Sequence, residues 1–222
     1  MASAYGEVLR PEALDPGTAV LVAGPAMCGK RELALDLLAA DDRTDAATVF
    51  VTTRRAAPDV ARGYEAAGGR VESLAVVDCV TRLGGFRRVT DTTDRRYVAD
   101  PGDLTGTGIA VTEFLRQFDR ESRTPWLGVH SLSTMLMYAD VRRTFRFLHV
   151  LVGRVRATGG VAVATLETAT VDDRERDVIG QPFDARIEVR EGVDGREVRA
   201  RGAAVAPREW TRLPGPDEFG AF

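Results

Sequence analysis

The segment Gly24-Pro25-Ala26-Met27-Cys28-Gly29-Lys30-Arg31 carries the most specific structural signal in this sequence. It contains the spacing G-x-x-x-x-G-K, follows an apolar run over 18–23 and precedes a helical pattern over 30–40. In such a loop the glycines let backbone N–H groups turn inward, and the helix N-terminus adds its positive dipole end. The lysine ammonium then reaches the outer phosphates of a bound nucleotide. The spacing therefore predicts a phosphate-binding loop made of residues 24–31.

Lys30 is the single lysine among the 30 basic residues of this 222-residue chain. Codon bias explains the general use of arginine, but it does not explain one lysine kept at a position where arginine is a poor replacement. The motif departs from the full pattern at Arg31, because a Ser or Thr hydroxyl there ligates Mg²⁺. Arg31 cannot coordinate a metal ion. Its side chain either places a positive charge near the phosphates, which replaces part of the metal's electrostatic role, or points to solvent.

Outward from this loop, short apolar runs alternate with helical patterns, which predicts β-α-β units and a parallel sheet. Four further strands are expected over residues 47–53, 74–78, 126–130 and 161–166. Four further helices are expected over residues 56–67, 106–120, 133–158 and 172–179. Two last strands, over 185–190 and 197–201, are expected to form a hairpin around Asp194-Gly195. No linker divides the chain, so we expect a single domain over residues 1–222.

The segment 79–103 shows no regular pattern and is expected to be one long loop, a type of segment that often has a functional role. Its stretch 81–97 carries five arginines and two aspartates. No series of aromatic residues accompanies these charges, so we interpret the stretch as facing solvent or a protein partner.

The composition excludes several classes of protein. A net charge of −3 argues against non-specific binding to nucleic acid. No apolar run approaches the roughly 20 residues of a membrane helix. Two scattered cysteines and two histidines make neither a disulfide framework nor a zinc site. We therefore expect a cytoplasmic protein that holds no metal and binds neither membrane nor nucleic acid.

With these elements in order, the chain resembles the RecA/KaiC-like branch of P-loop ATPases, and most closely its short single-domain KaiC-like members. Besides the phosphate loop, the resemblance rests on the segment His130-Ser131-Leu132-Ser133-Thr134-Met135-Leu136, which is similar to the family's D-S-L-S-x-L. Gly159-Gly160, Phe183-Asp184-Ala185 and Trp210 also stand where the family has such residues. The resemblance implies a three-layer α/β fold with a mostly parallel central sheet, a C-terminal β-hairpin and ATP as the ligand.

The departures from that family concern catalysis. The acid that the family places at the end of the Walker B strand is His130 here. The stretch where the family has a catalytic Glu is Thr52-Thr53-Arg54-Arg55. Together with Arg31, these replacements leave no way to position Mg²⁺ and activate water. The resemblance therefore implies a nucleotide-binding protein with impaired or absent hydrolysis, and we assign no catalytic residue.

Other candidates follow from the rule that ligands bind beyond the carboxyl ends of parallel strands. Those ends present Thr52, Thr53, Asp78, His130 and Glu167. Asp78 and Glu167 are either carboxylates that act from an unusual direction or ordinary capping and loop residues.

Two more residues, Cys28 and His149, are considered as candidates for a functional or a structural role. Cys28 is either a redox control of the phosphate loop or a small buried filler. His149 is interpreted as a packing residue of the long helix.

Four functions remain open on the sequence. The leading hypothesis is a regulatory or scaffolding module that works through an unidentified protein partner or a homo-oligomer. The alternatives are an active RecA-like ATPase of DNA recombination or repair, a small-molecule phosphotransferase, and a structural P-loop remnant that binds no nucleotide.

Overall fold

The structure, a computed structural model, describes residues 8–39, 45–83, 89–202 and 205–213. Within these residues a sheet of nine strands carries helices on both faces. The strands are β1 (Ala19–Gly24), β2 (Ala46–Thr52), β3 (Leu74–Asp78), β4 (Arg95–Tyr97), β5 (Thr124–His130), β6 (Ala162–Glu167), β7 (Ala185–Gly192), β8 (Gly195–Arg201) and β9 (Thr211–Arg212). The helices are α1 (Lys30–Ala39), α2 (Ala57–Ala66), α3 (Leu104–Arg120), α4 (Leu132–Tyr138), α5 (Val141–Ala157) and α6 (Asp173–Gly180).

The strand order is β4-β3-β2-β5-β6-β1-β7-β8-β9. All pairs from β4 to β7 are parallel, and β7, β8 and β9 pair antiparallel. This arrangement confirms the expected α/β fold with a mostly parallel central sheet and a C-terminal hairpin. No helix within the described ranges is long and apolar enough to cross a membrane.

The sheet separates two apolar clusters, because successive side chains of a strand point to opposite faces. In β1, Val20 and Val22 belong to the cluster under α1 and α2. Ala19 and Leu21 of the same strand belong to the cluster under α3, α4, α5 and α6. Both clusters are buried, so the three-layer architecture expected from the apolar strands is confirmed.

The long helix expected over residues 133–158 is wrong as a single element, since the structure has α4 and α5 there. Ala139 is extended, with φ −134° and ψ 150°. Asp140 then caps α5 by accepting a 2.9 Å hydrogen bond from the backbone N–H of Arg143. An aspartate cap starts a new helix because it satisfies a free N–H group of the first turn.

Two short strands were not expected from the sequence. β4 lies within the segment interpreted as a loop, and pairs with β3 at one edge of the sheet. β9 pairs with β8 at the other edge. Strands of three and two residues are too short to show an alternation of apolar and polar side chains. Ala40, Arg87 and Arg88, which the sequence placed in the first helix and the long loop, lie outside the described residues.

Asp78, the last residue of β3, joins two loops and a helix at the carboxyl edge of the sheet. Its side chain is fully buried and accepts four hydrogen bonds. The donors are the backbone N–H groups of Ala57 and Val80, and both the N–H and the hydroxyl of Thr81, at 2.7 to 2.8 Å. Ala57 is the first residue of α2, whose preceding residue Ala56 makes no side-chain cap. Asp78 therefore supplies the cap of α2 from a neighbouring strand.

We predict that Asp78→Asn lowers the free energy of unfolding by about 2–3 kcal/mol. The amide NH₂ cannot accept the hydrogen bond from Ala57, which leaves a buried donor without a partner. Urea denaturation measures the change.

The matched control is Asp173→Asn, because the side chain of Asp173 is 93% exposed. Its surface ion pair with Arg176 should change stability by less than about 0.5 kcal/mol. Equal effects of the two substitutions would contradict the capping role of Asp78.

Candidate functional site

The parallel strands bring the expected site residues to one edge of the sheet. The register aligns Gly24 with Glu167 across β1 and β6. It also aligns Thr52 with His130 and with Asp78 across β2, β5 and β3. The carboxyl ends of these strands therefore form one surface, as the sequence predicted.

The loop 24–31 connects β1 to α1 at this edge. Gly24 is packed so closely that a Cβ atom there would stand 2.6 Å from the carbonyl oxygen of Val189. Gly29 has a φ of +77°, a conformation that glycine adopts without strain. Both positions of the motif therefore have a steric reason to be glycine.

Lys30 is the first residue of α1 and its side chain is buried. Its ammonium donates a hydrogen bond to the carbonyl oxygen of Pro25 and lies 3.5 Å from the sulfur of Cys28. Cys28 is fully buried, which favours the interpretation of a buried filler. Met27 is the opposite case, since its side chain is 94% exposed at the tip of the loop.

A cavity of about 510 Å³ opens beside this loop. Among the described residues, five cationic side chains and two carboxylates, Glu32 and Glu167, line it. The cations are Lys30, Arg31, Arg54, Arg55 and Arg196. Because the helix N-terminus adds a partial positive charge, the cavity has the electrostatic character of an anion site.

Arg196 enters the cavity from the C-terminal hairpin. It belongs to β8, and its Nη1 atom stands 2.2 Å from the position that a Cβ atom on Gly29 would take. Sequence reasoning missed this residue. Only the pairing of β7 with β1 brings the hairpin beside the phosphate loop, and no local pattern around Arg196 carries that information.

Both carboxylates of the cavity lie beside an arginine. Glu32 pairs with Arg31 at 3.1 Å, and Glu167 pairs with Arg54 at 3.6 Å. The backbone N–H of Glu167 also donates to the hydroxyl of Ser133 at 2.7 Å, which fixes the end of β6 against α4. The two carboxylates therefore neutralise part of the positive charge of the cavity.

His130, the last residue of β5, is partly buried at the cavity wall. Its Nδ1 atom forms a 2.7 Å hydrogen bond with the hydroxyl of Thr165. Burial, as the largest cause, and the charges of Arg31, Arg54, Lys30 and Arg55 together lower the pKa of His130 from 6.5 to about 3. The imidazole is therefore neutral at physiological pH.

The residues around the loop do not fit a Mg²⁺ site. Hard cations prefer oxygen ligands, above all carboxylates and hydroxyls. Arg31 offers no such atom, and the hydroxyl of Thr52 donates to the carbonyl of Arg55 at 2.6 Å. The hydroxyl of Thr53 is engaged with the backbone of Ser131. Among the described residues, no group of three or more His, Cys, Asp and Glu side chains is placed to hold a metal ion.

The remaining candidates lie away from the cavity or have structural roles. Asp78 is the helix cap described above and does not line the cavity. His149 is exposed and its ring stacks on that of Phe145, with ring centroids 5.8 Å apart, so it packs on its own helix at the protein surface. The other cysteine, Cys79, is buried, and burial raises the pKa of its thiol to about 12.

In the Arg-rich segment, the described arginines form ion pairs within the protein. Arg82 pairs with Asp91 and Arg95 with Asp94. Arg96 pairs with Glu113 and lies over the ring of Phe114. The first two pairs lie within the segment, and the contacts of Arg96 attach the segment to α3.

Comparison with known proteins gives one family and a set of related folds. The profile of a family of unknown function, DUF7504, matches residues 17–189. No curated protein matches the chain.

Among solved structures, two proteins of Pyrococcus horikoshii are similar to this chain. The uncharacterized protein PH0321, solved in complex with an unknown peptide, has a TM-score of 0.63 and 15% identity, over 85% of this chain and 84% of its own. The KaiC-like protein PH0186 has a TM-score of 0.61 and 17% identity, over 88% of this chain and 84% of its own. At this identity the likeness concerns the fold alone, and it fits the expected RecA-like architecture.

We predict that His130 makes the protein less stable as the pH falls. The folded state keeps His130 neutral down to about pH 3, whereas the unfolded chain takes up a proton near pH 6.5. The unfolded state therefore binds more protons than the folded state between these pH values. As a result, His130 lowers the free energy of unfolding by about 1–2 kcal/mol when the pH falls from about 8 to about 5. Urea denaturation at both pH values measures the loss.

His130→Gln should reduce this pH dependence by that amount. The difference between this variant and the unaltered protein isolates the contribution of His130 from that of the other titratable groups. An unchanged pH dependence in His130→Gln would show that the imidazole is not held neutral.

Proposed function

The chain belongs to the DUF7504 family of unknown function, and we propose that it binds the phosphate groups of a nucleotide at residues 24–31 without efficient hydrolysis. The observation that carries this proposal is that, among the described residues, five cationic side chains and two carboxylates line the cavity at the N-terminus of α1. Such an arrangement attracts an anion, and a polyphosphate carries several negative charges that the loop and the surrounding cations could bind together. The similarity to a KaiC-like fold favours ATP among the nucleotides.

Binding requires two changes in the cavity. The ammonium of Lys30 exchanges the carbonyl oxygen of Pro25 for a phosphate oxygen, which is a stronger, charge-assisted acceptor. Arg196 and Arg31, which line the same cavity, would contact the phosphates. Arginines thereby supply the charge that Mg²⁺ provides in P-loop ATPases.

Hydrolysis lacks the groups that position and activate a water molecule. Glu167, a carboxylate of the cavity wall, lies in an ion pair with Arg54. The Nδ1 atom of His130 forms a hydrogen bond with the hydroxyl of Thr165 and does not hold a metal-bound water. The proposed ligand therefore stays bound unchanged, and its effect is on the conformation of the protein.

A regulatory role follows from where the cations come from. Arg196 belongs to the C-terminal hairpin, and Arg54 and Arg55 connect β2 to α2. A phosphate group that these side chains share would tie both elements to the loop. The positions of these elements would then differ between the free and the ligand-bound protein. A protein partner or a second copy of the chain would recognise that difference.

We predict that Lys30→Met weakens ATP binding at least tenfold, since hydrogen bonds to charged groups are worth about 1.5–3 kcal/mol. Methionine keeps most of the aliphatic length that packs in the loop but removes the charge. Fluorescently labelled ATP, titrated in a buffer with EDTA, measures the affinity.

The control is Arg70→Met, because Arg70 is exposed and lies after α2, outside the cavity. It should bind ATP like the unaltered protein. Robust Mg²⁺-dependent turnover that disappears in Lys30→Met would contradict the loss of hydrolysis, and equal binding by both variants would contradict the site.

We predict that Arg196→Ala weakens ATP binding about tenfold, because one charged contact to phosphate is lost. The matched control is Arg201→Ala on the same strand, since the side chain of Arg201 is 65% exposed and does not line the cavity. Isothermal titration of both variants distinguishes a phosphate contact from a general effect of charge. If Arg196→Ala binds ATP with unchanged affinity, the hairpin does not contribute to the binding site.

A further inference from the structure

A groove runs between α3 and α5, on the face of the sheet opposite α1 and α2. It has a volume of about 620 Å³ and lies outside the phosphate-loop cavity, with which it shares no residue. We call it the α3/α5 groove. Its walls come from the outer sides of the two helices, over residues 104–116 and 143–154.

The floor of the α3/α5 groove is apolar. Leu104 and Leu151 are buried at its base, whereas the side chains of Ile109 and Val150 are 58% and 50% exposed. Opposite them, Gly108 carries no side chain, and a Cβ atom there would lie 3.7 Å from the ring of Phe147. The groove therefore offers apolar surface to a partner that is large enough to fill the space between the helices.

The rim of the groove is positively charged. Arg116, Arg143 and Arg146 are exposed, and no carboxylate among the described residues pairs with their guanidinium groups. Glu113, the acid of the lining, is already bound to Arg96 at 2.9 Å. In a chain with a net charge of −3, this rim is a local surface that attracts negative charge.

The length of the groove sets the kind of segment that fits. Its wall on α5 runs from Arg143 to Arg154, which is about 16 Å at 1.5 Å per residue. Three turns of helix have this length. A helix that lies in a groove between two helices contacts it through apolar residues spaced three and four apart, with its flanks facing the rim.

We propose that the α3/α5 groove binds an acidic amphipathic helix of a partner protein. Its apolar face packs on Ile109, Phe147 and Val150, and its flanking carboxylates pair with Arg116, Arg143 and Arg146. A nucleic acid would use the arginines but would gain little from the exposed aliphatic side chains. The combination of apolar floor and basic rim therefore favours protein, and it does not depend on nucleotide binding at residues 24–31.

The test uses two fluorescein-labelled helical peptides of about 16 residues with the same leucine face. One carries glutamates on both flanks and the other carries lysines. Fluorescence anisotropy should show that the full chain binds the glutamate peptide at least tenfold more tightly than the lysine peptide. The double variants Ile109→Ser/Val150→Ser and Arg143→Glu/Arg146→Glu should each weaken this binding at least tenfold. Arg70→Glu, on the other side of the sheet, should not.

The charge-reversed variant adds a check that loss of folding cannot imitate, because it should bind the lysine peptide more tightly than the unaltered protein does. Equal affinity for the two peptides, or failure of the glutamate peptide to bind, would overturn the proposal. Oligonucleotide binding that Arg143→Glu/Arg146→Glu abolishes and Ile109→Ser/Val150→Ser leaves intact would assign the groove to nucleic acid instead and likewise overturn it.

Discussion

Repulsion between like charges is the constraint on which the candidate site depends. Lys30 and four arginines meet at the N-terminus of α1, where the helix adds a partial positive charge of its own. The surrounding contacts reduce this repulsion in several ways. Glu32 and Glu167 each lie beside an arginine, and the ammonium of Lys30 faces a carbonyl oxygen. The imidazole of His130 remains neutral because it is buried and a further charge would be repelled. The remaining positive charge is the part that a ligand would neutralise.

In the proposed function, the same residues would strengthen the attraction to phosphate and prevent hydrolysis. If the resemblance to P-loop ATPases extends to these positions, Arg31 stands where that family has a metal-binding hydroxyl, and Arg54-Arg55 stand where it has a catalytic carboxylate. Each exchange would add a cation and remove an oxygen ligand or a base. The proposed site would recognise the ground state of a polyphosphate through fixed charges, without a group that acts on the transition state.

The sequence predicted much of the fold because its signals were local. The buried strand 18–23, the glycine spacing and the hairpin around Asp194-Gly195 are each contained in fewer than about ten residues. The division between α4 and α5 was also signalled locally, by Asp140 as a helix cap, but the regular apolar spacing of α5 concealed it. Arg196 and Asp78 could not be assigned in the same way. The role of each depends on a partner distant in the sequence, Gly29 for Arg196 and Ala57 for Asp78, and only strand pairing brings them together.

Whether the cations bind phosphate without a metal ion is measured most directly by the affinity for ATP at constant ionic strength, once with Mg²⁺ and once with EDTA. If arginines supply the charge that a metal ion supplies elsewhere, ATP binds at least as tightly in EDTA, because free ATP carries more negative charge than its Mg²⁺ complex. Lys30→Met loses that binding in both buffers. Binding that occurs only with Mg²⁺ would contradict the claim that the cations around residues 24–31 recognise phosphate without a metal.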